Sequence, residues 1–100
     1  MNKPKRFLVK RIDRASGLVK DHIVTVDAED AHYMRSSFWT ISYGKGCAAP
    51  CRATPNGTEA LSHLILGVPH SERVDHINGD GLDNRKSNLL LRSTRITELE

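Results

Sequence analysis

The sequence predicts a small α+β protein in which a β-rich N-terminal module precedes a unit of two strands and a helix. Three observations carry this prediction. Residues 18–26 are rich in β-branched side chains, which favour strands. Residues 58–66 repeat apolar side chains at helical spacing. A polar stretch, 78–87, separates two apolar segments, 73–77 and 88–92.

The N-terminal module, which we assign to residues 1–57, is predicted to begin with a β-hairpin. Its strands cover residues 5–13 and 18–26, and the sequence Ala15-Ser16-Gly17 between them is typical of a turn. One hundred residues suffice for one domain, or for one module and an incomplete second one.

A short helix is predicted over residues 27–35. Asp27 is its expected N-cap, because an Asp side chain there accepts a hydrogen bond from a first-turn amide. Glu29 and Asp30 follow in the first turn, where the helix dipole favours anions.

A third strand is predicted over residues 38–43, where apolar and polar side chains alternate. We expect Phe38 or Trp39 to anchor it in the core. Residues 44–57 are rich in Gly and Pro, which predicts a loop or a ragged hairpin.

The second unit, residues 58–100, is predicted to begin with a helix over 58–66. Thr58 is the expected N-cap. Gly67 suits the C-terminal end of the helix, and Pro69 prevents its continuation.

Two strands, 73–77 and 88–92, are predicted to flank the loop 78–87. Ser93 or Thr94 could then cap a final helix, which would be short because only a few residues remain.

Charge is distributed unevenly along the chain. The net charge is 15 − 12 = +3, yet residues 1–20 hold seven Lys or Arg, among them Lys3, Lys5 and Arg6, against one acid, Asp13. Such a segment could bind DNA phosphates electrostatically. A solvated basic terminus is the alternative.

Two function classes are not expected. The chain has no apolar run near the roughly 20 residues of a membrane span and no apolar segment typical of a signal peptide, which predicts a cytoplasmic protein. Cys47 and Cys51 are spaced C-x3-C without a second ligand pair, and His63 alone does not complete a zinc site. We therefore expect free thiols.

The segment from Asp75 to Asn88 carries the residues suited to phosphodiester chemistry. His76 could take a proton from water, and Asp75 offers the carboxylate oxygen that Mg²⁺ or Mn²⁺ prefers. Arg85 and Lys86 are candidates for phosphate contacts. Each feature alone is ordinary, since an Asp-His pair is common on surfaces and a polar loop is common anywhere.

Taken together, the sequence VDHINGDGLDNRKSNLL resembles the core of HNH homing-type endonucleases, which have a ββα-metal fold. The upstream segments VDAEDAHYMRSSFW and LSHLILG resemble those that precede this core in phage and mobile-element members. The resemblance covers roughly residues 23–97. It implies one divalent ion, Mg²⁺ or Mn²⁺, and DNA as the partner.

The resemblance also implies a role for individual residues. His76 would be the general base, and Asp75 a metal ligand. Asn88 would hold the loop together and orient the base. Asn84 and Arg85 would brace the loop and contact backbone phosphate.

Two further positions bear on the site. His63 matches a His of the preceding L-H-R-L-I element of the family and is a candidate active-site residue, although Leu64 replaces the following Arg. The family's last metal ligand, an Asn or His on the final helix, falls here at Thr97 or Glu98. A chain truncated before that ligand and a natural variant with a degraded site both explain this departure.

The sequence therefore predicts a metal-dependent DNA endonuclease or nickase of the HNH type. The alternative is a catalytically impaired HNH-derived module that binds DNA or a protein.

Overall fold

Strands dominate the computed structural model, which describes residues 3–13, 15–44 and 47–92. The α+β class predicted from the sequence is confirmed. The elements in chain order are β1 (Lys5–Ile12), β2 (Val19–Val26), α1 (Ala31–Arg35), β3 (Thr40–Gly44), β4 (Cys47–Thr54), β5 (Gly57–Ala60), α2 (Leu61–Leu66), β6 (Arg73–His76), β7 (Asp83–Asn84) and β8 (Leu89–Arg92). Short 3-10 turns precede α1 and β8. The final helix expected from Ser93 or Thr94 lies outside the described residues.

The first sheet has the order β1-β2-β7. β1 and β2 form the predicted antiparallel hairpin along their whole length. β7 joins β2 in parallel, with Thr25 opposite Asp83, and the Thr25 amide donates to the Leu82 carbonyl at 2.9 Å. Part of the predicted loop 78–87 is therefore held against the N-terminal hairpin, and the regions on either side of residue 57 share one sheet.

The second sheet is antiparallel with the order β3-β4-β5. The interpretation of residues 44–57 as a loop is wrong, because most of them form β4 and the start of β5; the hairpin alternative describes them better. β4 is paired on both edges, and this pairing outweighs the weak strand propensity of its Ala and Pro residues. Pro50, which has no amide to donate, is fully buried opposite Ile41.

The predicted helix over 58–66 begins later, at Leu61. Thr58 is not its N-cap, since Thr58 pairs with Ala53 in the second sheet. Gly67 ends the helix as predicted, with φ of 69°, and its amide donates to the Leu64 carbonyl at 3.2 Å.

The helix predicted over 27–35 is a 3-10 turn, Ala28–Asp30, followed by the short α1. Asp27 makes no side-chain capping hydrogen bond there. Its carboxylate instead accepts from the Lys86 amide at 2.9 Å. Asp27 therefore accepts from a backbone amide 59 residues away in sequence instead of from a first-turn amide of its own helix.

The core is built from side chains of both three-stranded sheets, the two helices and β8, which pairs with β6 in a third sheet. Its buried side chains are Val9, Val24, Val26, Ala31, Met34, Ile41, Leu61, Ile65 and Leu89. Trp39 packs against this cluster, and its indole N–H donates to the Tyr33 carbonyl at 2.9 Å. Phe38 is 99% exposed, and β3 begins only at Thr40. Trp39 is therefore the anchor. Within the described residues, no helix has the length and apolar character that crossing a membrane requires.

Gly81 lies where the loop after β6 meets the second sheet. It is buried, and a Cβ atom there would overlap the backbone carbonyl of Ala48 in β4. Only a residue without a side chain allows this approach. The loop is therefore docked on β4 as well as on β2.

We predict that Gly81→Ala lowers the free energy of unfolding by about 1–3 kcal/mol, the usual cost of overpacking. The overlap is with backbone, which yields less readily than a side chain. Urea unfolding measures the change. Gly79→Asn is the matched control, because Gly79 has φ of 78° and open space around it, and Asn tolerates that conformation. Equal stability of Gly81→Ala and wild type would contradict the docking of this loop.

Candidate functional site

The site is built on the antiparallel pair β6 and β8. His76 lies opposite Leu89, and Asp75 opposite Leu90. β6 ends at His76, and the next amide, that of Ile77, still donates to the Asn88 carbonyl at 2.9 Å. The two predicted strands are thereby confirmed, with bounds slightly shorter than predicted.

The loop between these strands is closed by three polar side chains, Asn78, Asp83 and Asn88, which we call the amide network. The Asn88 amide group donates to the side chain of Asn78 at 2.9 Å and to the Asp83 carbonyl at 2.9 Å. The Asn88 oxygen accepts from the Asn78 backbone amide at 3.0 Å, and the Asn78 amide group donates to the Asp83 carboxylate at 3.0 Å. The buried polar atoms are thus paired, as low-dielectric surroundings require. Asn88 therefore cross-links the two ends of the loop.

His76 itself contacts Asn84 rather than Asn88. The His76 Nε2 atom lies 3.1 Å from the Asn84 Oδ1 atom. Asn84 is fully buried in β7, and its amide group donates to the Gly81 carbonyl at 3.1 Å. The orienting role expected of Asn88 therefore falls to Asn84. A fully buried side chain also leaves no surface for the phosphate contact expected of Asn84.

This pairing determines which nitrogen of His76 carries the proton. The Gly81 carbonyl can only accept, so the Asn84 atom that faces it must be the nitrogen. The Asn84 oxygen then faces His76 and also accepts. The neutral imidazole must therefore donate through Nε2–H, which leaves the lone pair on Nδ1.

Asp75 lies beside two arginines. Its Oδ1 atom is 3.3 Å from Arg73 Nε, and its Oδ2 atom is 2.9 Å from Arg92 Nε. Arg73 and Arg92 are directly opposite each other on β6 and β8. Both carboxylate oxygens thus contact a cation of the protein itself.

His76 and Asp75 both line an open cleft of about 1080 Å³. Successive strand residues point to opposite faces, yet both Asp75 and His76, at the end of β6, contribute to the lining of this cleft. The cleft is also lined by His63, His70 and Glu72. His63 Nε2 donates to the Glu72 carbonyl at 2.7 Å. The structure therefore brings His63 to the same cleft as the Asp-His pair.

The predicted phosphate contacts Arg85 and Lys86 are engaged with acidic side chains. Arg85 forms a two-pronged ion pair with Asp83, at 2.8 and 2.7 Å. This guanidinium holds the pKa of the Asp83 carboxyl below its usual value, despite the opposing effect of burial. Lys86 contacts Asp30 at 2.7 Å and Glu29 at 3.0 Å. Burial opposes the charge of Lys86, but these two carboxylates outweigh it and raise the pKa of the ammonium.

Asp27, Glu29 and Asp30 bring carboxylate oxygens within 4.8 Å of one another, a grouping that could hold a metal ion. Lys86 already supplies an ammonium group to two of them and a backbone amide to the third. An internal cation thus offsets part of the negative charge of this cluster, which lies outside the cleft lining.

The remaining predicted site residues are distributed as follows. Lys3, Lys5 and Arg6 are exposed at the start of the chain and on β1. Thr97 and Glu98 lie outside the described residues, as does the side chain of Cys47. The Cys51 thiol is free and buried, and burial raises its pKa.

Sequence reasoning missed Asn84 as the partner of His76, and Arg73 and Arg92 as partners of Asp75. For Arg73 a signal existed, because residues two apart on a strand share a face. Arg92 and Asn84 depend on which strands pair, which local sequence does not specify.

Comparison with known proteins adds no family assignment: no protein-family model, no curated protein and no solved structure matches this chain.

We predict that Asp83→Asn destabilises the protein at neutral pH by about 1–3 kcal/mol, because a hydrogen-bonded charged group is replaced. The folded-state pKa of Asp83 is lowered. The stabilisation that the Asp83 carboxylate contributes is therefore present above the pKa of an Asp in the unfolded chain, about 3.9. This stabilisation is lost as the pH falls through the pKa of Asp83 in the folded protein. The difference between variant and wild type should shrink below about pH 4. Urea unfolding across this range measures it.

The control for this prediction is the Arg85→Gln background, which removes the largest cause of the lowered pKa of Asp83. There, Asp83→Asn should have a smaller effect with little pH dependence. An undiminished pH dependence in that background would show that Arg85 is not its source.

Proposed function

We propose that this protein is a metal-dependent DNA endonuclease or nickase of the HNH type, with His76 as the general base. The observation that carries the proposal is the imidazole of His76, which lines the cleft and is oriented by the buried Asn84. A ring fixed through Nε2–H keeps its acceptor at Nδ1. A positioned neutral imidazole is what proton removal from water needs.

The arrangement of the elements supports the family resemblance. β6 and β8 flank a loop closed by Asn88, as the resemblance implies for the two strands of a ββα-metal unit. The helix that would complete this unit falls on residues beyond Arg92, outside the described part of the chain. The amide network cross-links the loop, and a base is kept in its reactive geometry by neighbours that are themselves held by hydrogen bonds.

The cleft contains a carboxylate that is suited to a hard divalent ion. Asp75 has carboxylate oxygens, the ligand type that Mg²⁺ and Mn²⁺ prefer, and it lines the same cleft as His76. When bound, such an ion neutralises charge on the phosphate and on the leaving oxygen. His76 would take the proton from the attacking water. Asn84 would keep the ring oriented while the imidazole becomes charged.

The basic N-terminal residues would supply the duplex contacts. Arg6 in β1 lies opposite Thr25 in β2, and Thr25 lies beside Asp83. With strands about 4.8 Å apart, the Arg6 backbone is roughly 10 Å from that of Asp83. Exposed cations at this distance from the loop support electrostatic attraction of DNA, which falls steeply with salt.

One observation favours the alternative, a binding module without cleavage. Both oxygens of Asp75 contact arginines, so a metal ion must compete with them. A module of this kind would bind DNA without a divalent ion and with strong salt sensitivity. Nicking of plasmid DNA that requires Mg²⁺ or Mn²⁺ excludes this alternative.

We predict that the wild type nicks supercoiled plasmid with Mg²⁺ or Mn²⁺, and that His76→Ala lowers the rate about 10²–10⁴-fold, the usual contribution of a general base. The rate of conversion to the open-circular form is the measurement. His32→Ala is the control, because His32 is exposed on α1 and does not line the cleft. Wild-type rates in His76→Ala, or no nicking by the wild type, would contradict the proposal.

A further inference from the structure

Arg73, Asp75 and Arg92 form a cluster of two ion pairs, which we call the Arg–Asp–Arg triad. The two arginines lie directly opposite each other on antiparallel strands. Like charges in that arrangement repel. The Asp75 carboxylate relieves this repulsion by contacting one guanidinium with each oxygen. The triad nevertheless keeps a net charge of +1 at the wall of the cleft.

The arginines are held weakly. Their side chains are 57% and 59% exposed, whereas that of Asp75 is 27% exposed. Exposed ion pairs contribute little to stability because water competes for both partners. A guanidinium is also well suited to phosphate, which it binds with two parallel hydrogen bonds. Arg73 and Arg92 can therefore change partners at small cost.

We propose that Arg73 and Arg92 are exchangeable phosphate ligands, held by Asp75 until a divalent ion and a DNA phosphate enter the cleft. Asp75 would then hold the ion, and the released arginines would bind the phosphate. Ion and DNA then each favour binding of the other, since each removes a competitor for the other's ligands. This inference rests on the function proposed above and adds phosphate-binding residues and coupled binding to it.

Two titrations on the full chain test the exchange, both in the His76→Ala background to prevent cleavage. Calorimetric titration with Mn²⁺ alone measures ion binding, and fluorescence anisotropy of a labelled duplex in EDTA measures DNA binding. The variant Arg73→Gln/Arg92→Gln should bind Mn²⁺ roughly 2- to 30-fold more tightly, as expected when two exposed ion pairs are removed. It should bind the duplex several-fold more weakly. Tighter ion binding cannot come from misfolding.

Two control variants sharpen the test. Asp75→Asn should bind the duplex more tightly in EDTA, because the arginines lose their internal anion, and it should lose Mn²⁺ binding. Arg35→Gln removes one positive charge, as each substitution of the double variant does, from an exposed residue of α1 that does not line the cleft. It should leave Mn²⁺ affinity unchanged.

The proposal is overturned if the His76→Ala protein does not bind Mn²⁺. It is also overturned if the added Arg73→Gln/Arg92→Gln substitutions do not tighten Mn²⁺ binding, or if they do not weaken duplex binding. Plasmid nicking by the wild type, measured beside these titrations, distinguishes failure of the exchange from failure of the proposed function. If the wild type nicks plasmid but the substitutions leave the Mn²⁺ and duplex affinities unchanged, only the ligand exchange is excluded. Titrations as expected without nicking would remove the nuclease and leave a site that binds an ion and phosphate together.

Discussion

The buried amide of Asn84 is the constraint on which the site depends. Its nitrogen donates to the Gly81 carbonyl and its oxygen faces His76, so one side chain ties the loop to the imidazole. Asn84 is in turn fixed because β7 pairs with β2 of the N-terminal hairpin. The hairpin is therefore part of the support of the candidate base, as well as a basic surface.

The loop that carries the site is stabilised by polar contacts more than by apolar burial. The amide network pairs Asn78, Asp83 and Asn88 with one another and with the backbone. A network of this kind stabilises only when it is complete, since one unpaired buried group costs as much as several good contacts contribute. Its completeness leaves the loop little freedom.

Local signals in the sequence were sufficient for elements whose partners are close in the chain. The β1–β2 hairpin, the end of α2 at Gly67 and the strands around the loop followed from turn residues and alternation. Elements with distant partners did not follow. The alanines of β4 form a strand only because β3 and β5 pair with it. The carboxylate of Asp27 is used by Lys86, far away in sequence, instead of by its own helix.

The same division applies to the site. Asp75 and His76 were predicted as site residues from their chemistry, and Asn88 from the resemblance. Asn84 could be assigned to His76 only once the position of β7 was fixed. The most direct test of this account is ¹⁵N NMR of His76 in the neutral ring. We expect the proton on Nε2, with loss of that preference in Asn84→Ala. A neutral ring protonated on Nδ1 would contradict the orientation on which the proposed chemistry depends.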